Sequence, residues 1–308
     1  MLPILIYAAV AVFLVGNLYR FIRIARMPIH LRWELYPVPH EPRRKARYGG
    51  SYMEEDDWWT KSMHTNRVGE LGVMLPEIFL LKGVWEHNRP LWFWSWLMHI
   101  GLYLLVAAVA LTIVGALLGI GEPLAAANLL GLEKLIFELT VIICWIAFPV
   151  GILGGLGVLA MRLFSAKLSP FTSMGAVFNL MLILGLFGLG LGSLVLVKDA
   201  PLQMFGLTQR LLTFRELPPV NGMVAAYTAV LALFMLYFPF THMTHAFMKY
   251  MTYHSVRWDD APLVKTDKLN RKINEALHYP VSWSAPHIRG DGKKTWLDVA
   301  TEELKKNG

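Results

Sequence analysis

Cysteine is almost absent: 308 residues contain one, Cys144. A single thiol cannot hold an iron–sulfur cluster, nor can it supply the CxxCH pair that attaches a c-type haem. Any redox chemistry must therefore use a cofactor held by other ligands, and Cys144, inside an apolar run, reads as a packing residue. Charge is scarce too, at 17% of residues against 55% hydrophobic, and the mean hydropathy is +0.44. Few soluble domains of this length carry so much apolar content. No internal repeat or low-complexity run is visible.

What is present is a set of long apolar runs. Crossing about 30 Å of hydrocarbon takes about 20 such residues in a helix, and five segments qualify: about 3–25, 91–119, 135–161, 174–197 and 221–248. The expected class is all-α, a polytopic membrane protein with five transmembrane helices. The first span runs directly into Arg20, Arg23 and Arg26 without a short apolar core and small-residue cleavage site, so it is expected to be a retained helix.

The charges that remain are unevenly placed. About 12 Lys/Arg lie between Arg20 and Arg89, about 10 follow Tyr250, and Arg162 and Lys167 sit between the third and fourth spans. The opposite loops hold Lys134, Lys198, Arg210 and Arg215. The positive-inside rule then puts the N-terminus outside and the C-terminal tail in the cytoplasm. The net charge of +7 is explained by the cytoplasmic membrane face and calls for no nucleic acid. The sequence divides into a membrane domain over 1–255, which includes a cytoplasmic loop at 27–90, and a hydrophilic tail over 256–308. That loop is too long for a mere connection. Its prolines at 28, 37, 39 and 42 exclude a continuous helix, and its tryptophans and tyrosines suit a protein contact. Residues 71–88 read as an interfacial helix broken by Pro76 and Gly83, and residues 200–222 as a short amphipathic segment closed by Pro218 and Pro219.

Of ten histidines, three fall within spans: His99 in WFWSWLMHIGLYLL, and His242 with His245 in FPFTHMTHAF. If the second span enters at Arg89, His99 is about 15 Å deep; His245 lies between about 6 and 18 Å deep, depending on whether Lys249 or Arg257 marks the boundary. Two imidazoles on antiparallel helices can thus reach one depth, as the axial ligands of a b-type haem must. The competing reading is that these histidines only hydrogen-bond between helices. His278 and His287 in the tail show no ligand spacing.

FPFTHMTHAF together with MHIGL resembles the cytochrome b (gamma) subunit of respiratory nitrate reductase. The loop LRWELYPVPHE…YGGSYMEEDDWW is closer to a branch of that family. This branch is the membrane cytochrome b of multihaem-cytochrome-linked redox complexes of sulfate reducers, whose relatives accompany heterodisulfide reductase-like iron–sulfur proteins. The resemblance covers about residues 1–255. It implies haem b with His99 and His245 as axial ligands to iron, and His242 at a haem propionate or as an alternative ligand. Two-haem members carry further histidines where this chain has Val109 and Tyr227, so one haem is implied, near the cytoplasmic face. A second between His87 and His254 would lie at or beyond the membrane surface.

The resemblance further implies a haem-binding bundle in a bacterial or archaeal cell (inner) membrane. The chain would be an electron-transfer subunit, not catalytic alone, that works between menaquinone, or a periplasmic multihaem cytochrome c, and a cytoplasmic heterodisulfide reductase-like iron–sulfur protein. Glu138 and Tyr227 are the candidates for handling the quinone. The alternative from another class is a non-haem membrane anchor or a transporter subunit. Transporters usually show broken helices or paired inward charges, and the glycines of GILGGLGVLA and LGLFGLGLGS equally serve close helix packing.

Overall fold

A computed structural model describes residues 2–26, 41, 43–48, 50–61, 66–121, 129–254, 258, 267–285 and 288–302. Of the described residues 78% are helical and almost none lie in strands, which makes the fold all-α. Five described helices are long and apolar enough to cross a membrane, so this is a multi-pass membrane protein. They are α1 (Leu2–Ala25), α5 (Arg89–Leu117), α6 (Gly131–Phe164), α7 (Met174–Leu196) and the stretch Gly222–Phe240, whose α-helical part is α9 (Gly222–Tyr237). The first four expected spans agree with these helices to within a few residues. The prolines at 28, 37, 39 and 42 lie outside the described residues.

The chain divides into two compact units: Met1–Gly16 with Met74–Met243, and Asn17–Val73 with Thr244–Gly308. The first is organised around a seam between α5 and α6. A Cβ on Gly101 would lie 2.5 Å from Gly151 Cα, and one on Gly154 would lie 2.2 Å from Met98 N. Glycine is therefore required here because backbone meets backbone, as in other small-residue membrane interfaces. Beyond the seam, Phe148, Phe187, Leu186, Ile183 and Tyr227 form a buried core shared by α6, α7 and α9. The helix α8 (Ala200–Leu212) buries Ala200, Phe205, Gly206, Leu207 and Gln209. Tyr7 of α1 donates to the Leu211 carbonyl at the end of α8 (2.9 Å) and stacks on Phe214.

The broken stretch at 71–88 resolves into α3 (Arg67–Phe79) and α4 (Lys82–His87), separated by Leu81 at φ +50°. Pro76 lies within α3 and does not end it. The carbonyls at the C-terminal end of α3 have no helical partner, and α5 supplies donors to them. Trp92 Nε1 reaches Leu80 O (2.6 Å), Trp96 Nε1 reaches Phe79 O (3.1 Å), and the Tyr103 hydroxyl reaches Ile78 O (2.6 Å). These three aromatics share one face of α5 at helical spacing.

The fifth span departs from expectation: a single helix over 221–248 does not form. The α-helix stops at Tyr237, Phe238–Phe240 form a 3₁₀ turn, Thr241 is extended (φ −113°, ψ 171°), and His242–Thr244 form a second 3₁₀ turn. A new helix, α10 (His245–Thr252), begins at His245. Pro239 is the cause, since it brings no N–H to the helix ladder and disfavours α geometry before it. The Thr241 hydroxyl donates to the Phe238 carbonyl (3.0 Å) and accepts from the Met243 amide (3.1 Å), replacing the lost ladder bonds. The depth bracket for His245, which assumed one straight helix, does not survive this break.

The second unit includes a short helix, α2 (Arg43–Ala46), and a buried Glu41 accepting from Ser51 (2.5 Å). Glu55 is held between Lys45 and Lys61. The tail is itself folded. Helix α11 (Asp267–Leu277) is followed by a two-strand hairpin, β1 (Ser284–Ala285) and β2 (Ile288–Arg289), and by α12 (Trp296–Thr301). A capping box between Thr295 and Asp298 starts α12.

Candidate functional site

His99 sits one turn beyond Ser95 on α5, half-buried. Its Nδ1 lies 2.7 Å from the Ser95 carbonyl. A carbonyl only accepts, so Nδ1 carries the proton and Nε2 carries the lone pair with which an imidazole ligates a metal. Such a bond can orient a metal-ligating histidine; His87, His254 and His278 make the same local contact to the carbonyl four residues back. The ring of Tyr103 stands edge-on to His99 (6.2 Å between centroids), while Tyr103 itself is pinned to Ile78. Trp92, Trp96, His99 and Tyr103 thus form one stripe, with spacings of four, three and four residues along α5.

His242 and His245 do not share a helix. His242 lies in the 3₁₀ turn that ends the first unit, and His245 is the first residue of α10 in the second. Both are exposed. Neighbouring Met243 is buried in the α5–α6–α7–α9 core and anchors the turn. His242 Nδ1 lies 3.4 Å from the Asn179 side-chain amide nitrogen on α7. Asn179 escaped sequence reasoning; the available signal was a lone amide in the apolar run VFNLMLIL, where a buried polar group is costly.

The remaining candidates are scattered. His87 Nδ1 reaches the Gly83 carbonyl (2.8 Å). His254 Nδ1 reaches the Tyr250 carbonyl (3.0 Å), its Nε2 lies 3.6 Å from the Glu70 carboxylate, and its ring stacks on Tyr250 at 4.0 Å. Both nitrogens of His254 therefore lie beside oxygen atoms of the protein. Glu138 is exposed on the side of α6 at 3.8 Å from Lys134. Tyr227 is buried on α9, edge-on to Phe148 at 5.8 Å. His278 is exposed on the tail, and His287 lies outside the described residues. Cys144 packs beside the core of the first unit.

Among the described residues no three His, Cys, Asp or Glu side chains gather as a metal site; an axial pair of histidines is a smaller group than that. No protein-family model matches the chain, and no curated protein matches its sequence.

Proposed function

We propose that this chain is the haem b membrane subunit of a respiratory redox complex, with His99 and His245 as axial ligands. It would relay electrons between the menaquinone pool, or a periplasmic multihaem cytochrome c, and a cytoplasmic iron–sulfur subunit of the heterodisulfide reductase-like kind. The observation that carries this reading is the His99–Ser95 bond. Within a membrane-spanning helix it fixes an imidazole with its protonated nitrogen on a backbone carbonyl and its lone pair on Nε2. The donor chemistry suits the group, since imidazole nitrogens serve haem iron and no thiolate is required. Bound haem would supply a one-electron couple. The chain's own residues do the rest. Ser95 holds the Nδ1 proton, and Tyr103 stands edge-on to the ring. In this reading the N-terminus faces outward and the basic loop and tail face the cytoplasm, where the partner docks.

The test is a pyridine haemochrome assay with redox difference spectra on purified protein, comparing wild type with His99→Ala, His245→Ala and His242→Ala. One b-type haem lost in the first two variants and kept in the third supports the pair. Retention in His99→Ala, or no haem in folded wild type, removes the relay and leaves the non-haem anchor or transporter reading.

A further inference from the structure

The helix α3 is turned inside out. In water a surface helix points its charged residues outward and its apolar stripe at the protein. Val68, Leu71, Gly72, Leu75 and Phe79 fall on one face of α3 at helical spacing, and all five are exposed. The side chains of Val68, Leu71, Leu75 and Phe79 are left 80%, 55%, 46% and 49% exposed. Glu70 and Glu77 lie on the opposite face and are only half-exposed. The Glu70 carboxylate lies 3.6 Å from His254 Nε2. The Glu77 carboxylate is turned to α4, 3.6 Å from where a Cβ on Gly83 would stand. Met74, on the same side as the two glutamates, is buried. The sequence reading of residues 71–88 as interfacial named no face; the exposures name it.

A helix that turns its carboxylates inward and its leucines outward suits surroundings other than water, and α5 identifies them. Crossing the hydrocarbon takes about 20 residues, and α5 has 29. Wherever the crossing stretch begins, it includes the middle of the helix, about residues 98–108, and therefore Tyr103. The Tyr103 hydroxyl bonds the Ile78 carbonyl at 2.6 Å, so the last turn of α3 lies one tyrosine side chain away from a residue inside the hydrocarbon. Trp92 and Trp96, which hold the carbonyls of Leu80 and Phe79, are of the type that gathers at membrane interfaces. Two residues beyond Leu80 charge returns: Lys82, Glu86, His87 and Arg89 are all exposed. The end of α3 is thus held where headgroups meet acyl chains. At 13 residues, about 20 Å, the helix is too short to cross. We infer that α3 is an in-plane membrane helix, with the Val68–Leu71–Leu75–Phe79 stripe immersed in the acyl chains of the leaflet where α5 begins. The partner of this face is lipid, and α3 ties the segment before α5 to the bilayer. The inference needs α5 to span a membrane and is independent of haem, quinone and electron transfer.

The experiment uses the purified full-length chain with Cys144→Ala, so that one introduced cysteine carries a nitroxide label. Labels are placed by Val68→Cys, Leu71→Cys, Leu75→Cys and Phe79→Cys. Val106→Cys, on an exposed part of α5, is the lipid control, Glu86→Cys on α4 the water control, and Glu70→Cys the opposite-face control. In vesicles of phosphatidylcholine and phosphatidylglycerol, power-saturation EPR compares collision with oxygen, which concentrates among acyl chains, and collision with a water-soluble nickel chelate. The oxygen-to-nickel ratio at the stripe should approach that of Val106→Cys and exceed that of Glu86→Cys by roughly threefold or more. The Glu70→Cys label should meet oxygen less often than the label at Leu71→Cys. A stripe ratio equal to that of Glu86→Cys puts this face in water and overturns the inference. Labels shielded from both reagents put it against protein, a second copy or another chain, and overturn it equally. Folding is followed by circular dichroism; Cys144→Ser serves if Cys144→Ala does not fold, and any two of the four stripe positions decide.

Discussion

Adding one methyl group to the α5–α6 seam should be expensive, and the cost can be worked from the geometry. In Gly154→Ala the new Cβ would lie 2.2 Å from Met98 N, 2.7 Å from Met98 Cα and 2.8 Å from Leu97 C. All three are backbone atoms, so no side chain can rotate away. Restoring ordinary contact near 3.4 Å requires the two helices to part by roughly 1.2 Å, and a gap of 0.5–1 Å already forfeits a quarter to a half of the dispersion along the contact. Overpacking of this kind costs about 1–3 kcal/mol, and the rigid neighbour places this site at the upper end. The matched control is Gly188→Ala on α7, where an added Cβ meets nothing within 4 Å; there the gain in helix propensity is about 0.5–1 kcal/mol. Unfolding in mixed micelles of increasing SDS fraction, followed by circular dichroism, reads both. The two variants should shift the midpoint in opposite directions. Equal stability of Gly154→Ala and wild type, or an equal loss in Gly188→Ala, refutes the backbone seam.

Other outcomes follow from particular contacts. Tyr103→Phe removes the donor to the Ile78 carbonyl and should cost about 1 kcal/mol, with faster amide exchange at the end of α3 as the local signature. Glu55, between Lys45 and Lys61, has its pKa lowered from 4.5 to about 2, first by its hydrogen bond from Lys45 and then by that from Lys61. A depressed carboxylate contributes stability that is complete above the unfolded value and lost as pH falls through the folded one. Protease resistance of segment 41–61 should therefore hold at pH 5 and decline between pH 4.5 and 2, by a small amount because the pair is exposed; a flat profile contradicts the contact. Thr295→Ala breaks the capping box of α12 and should cost that helix about 1 kcal/mol, read as faster exchange of the Asp298 amide.

The spans were legible because membrane helices advertise themselves by length and composition, and four of the five spans agreed at both ends to within a few residues. The break at Pro239 was legible too, since FPFT combines a proline with a flanking threonine, but apolar content alone carried the fifth span through to residue 248. Asn179 was passed over for the same reason: one amide does not disturb an apolar average, and only its geometry against His242 singles it out. The stripe Trp92–Trp96–His99–Tyr103 is visible as helical spacing once α5 is drawn. What no spacing reveals is that its members are bound to the end of α3, because a helix terminus in the middle of an apolar, proline-containing stretch has no one-residue marker. The Leu81 conformation that ends it, φ +50°, is carried by a residue type that rarely adopts it.

Glycine has no rotamers, so the α5–α6 seam forms without freezing any side-chain motion at Gly101, Gly151 or Gly154. The contact between α7 and α9, by contrast, orders leucines and phenylalanines. Heating multiplies an entropy cost by temperature, so it weighs less on a contact that orders fewer side chains. The two packings should therefore age differently as the protein warms. The Leu- and Phe-rich side of the unit will loosen first, and α5 and α6 will persist as a paired hairpin when the rest has let go.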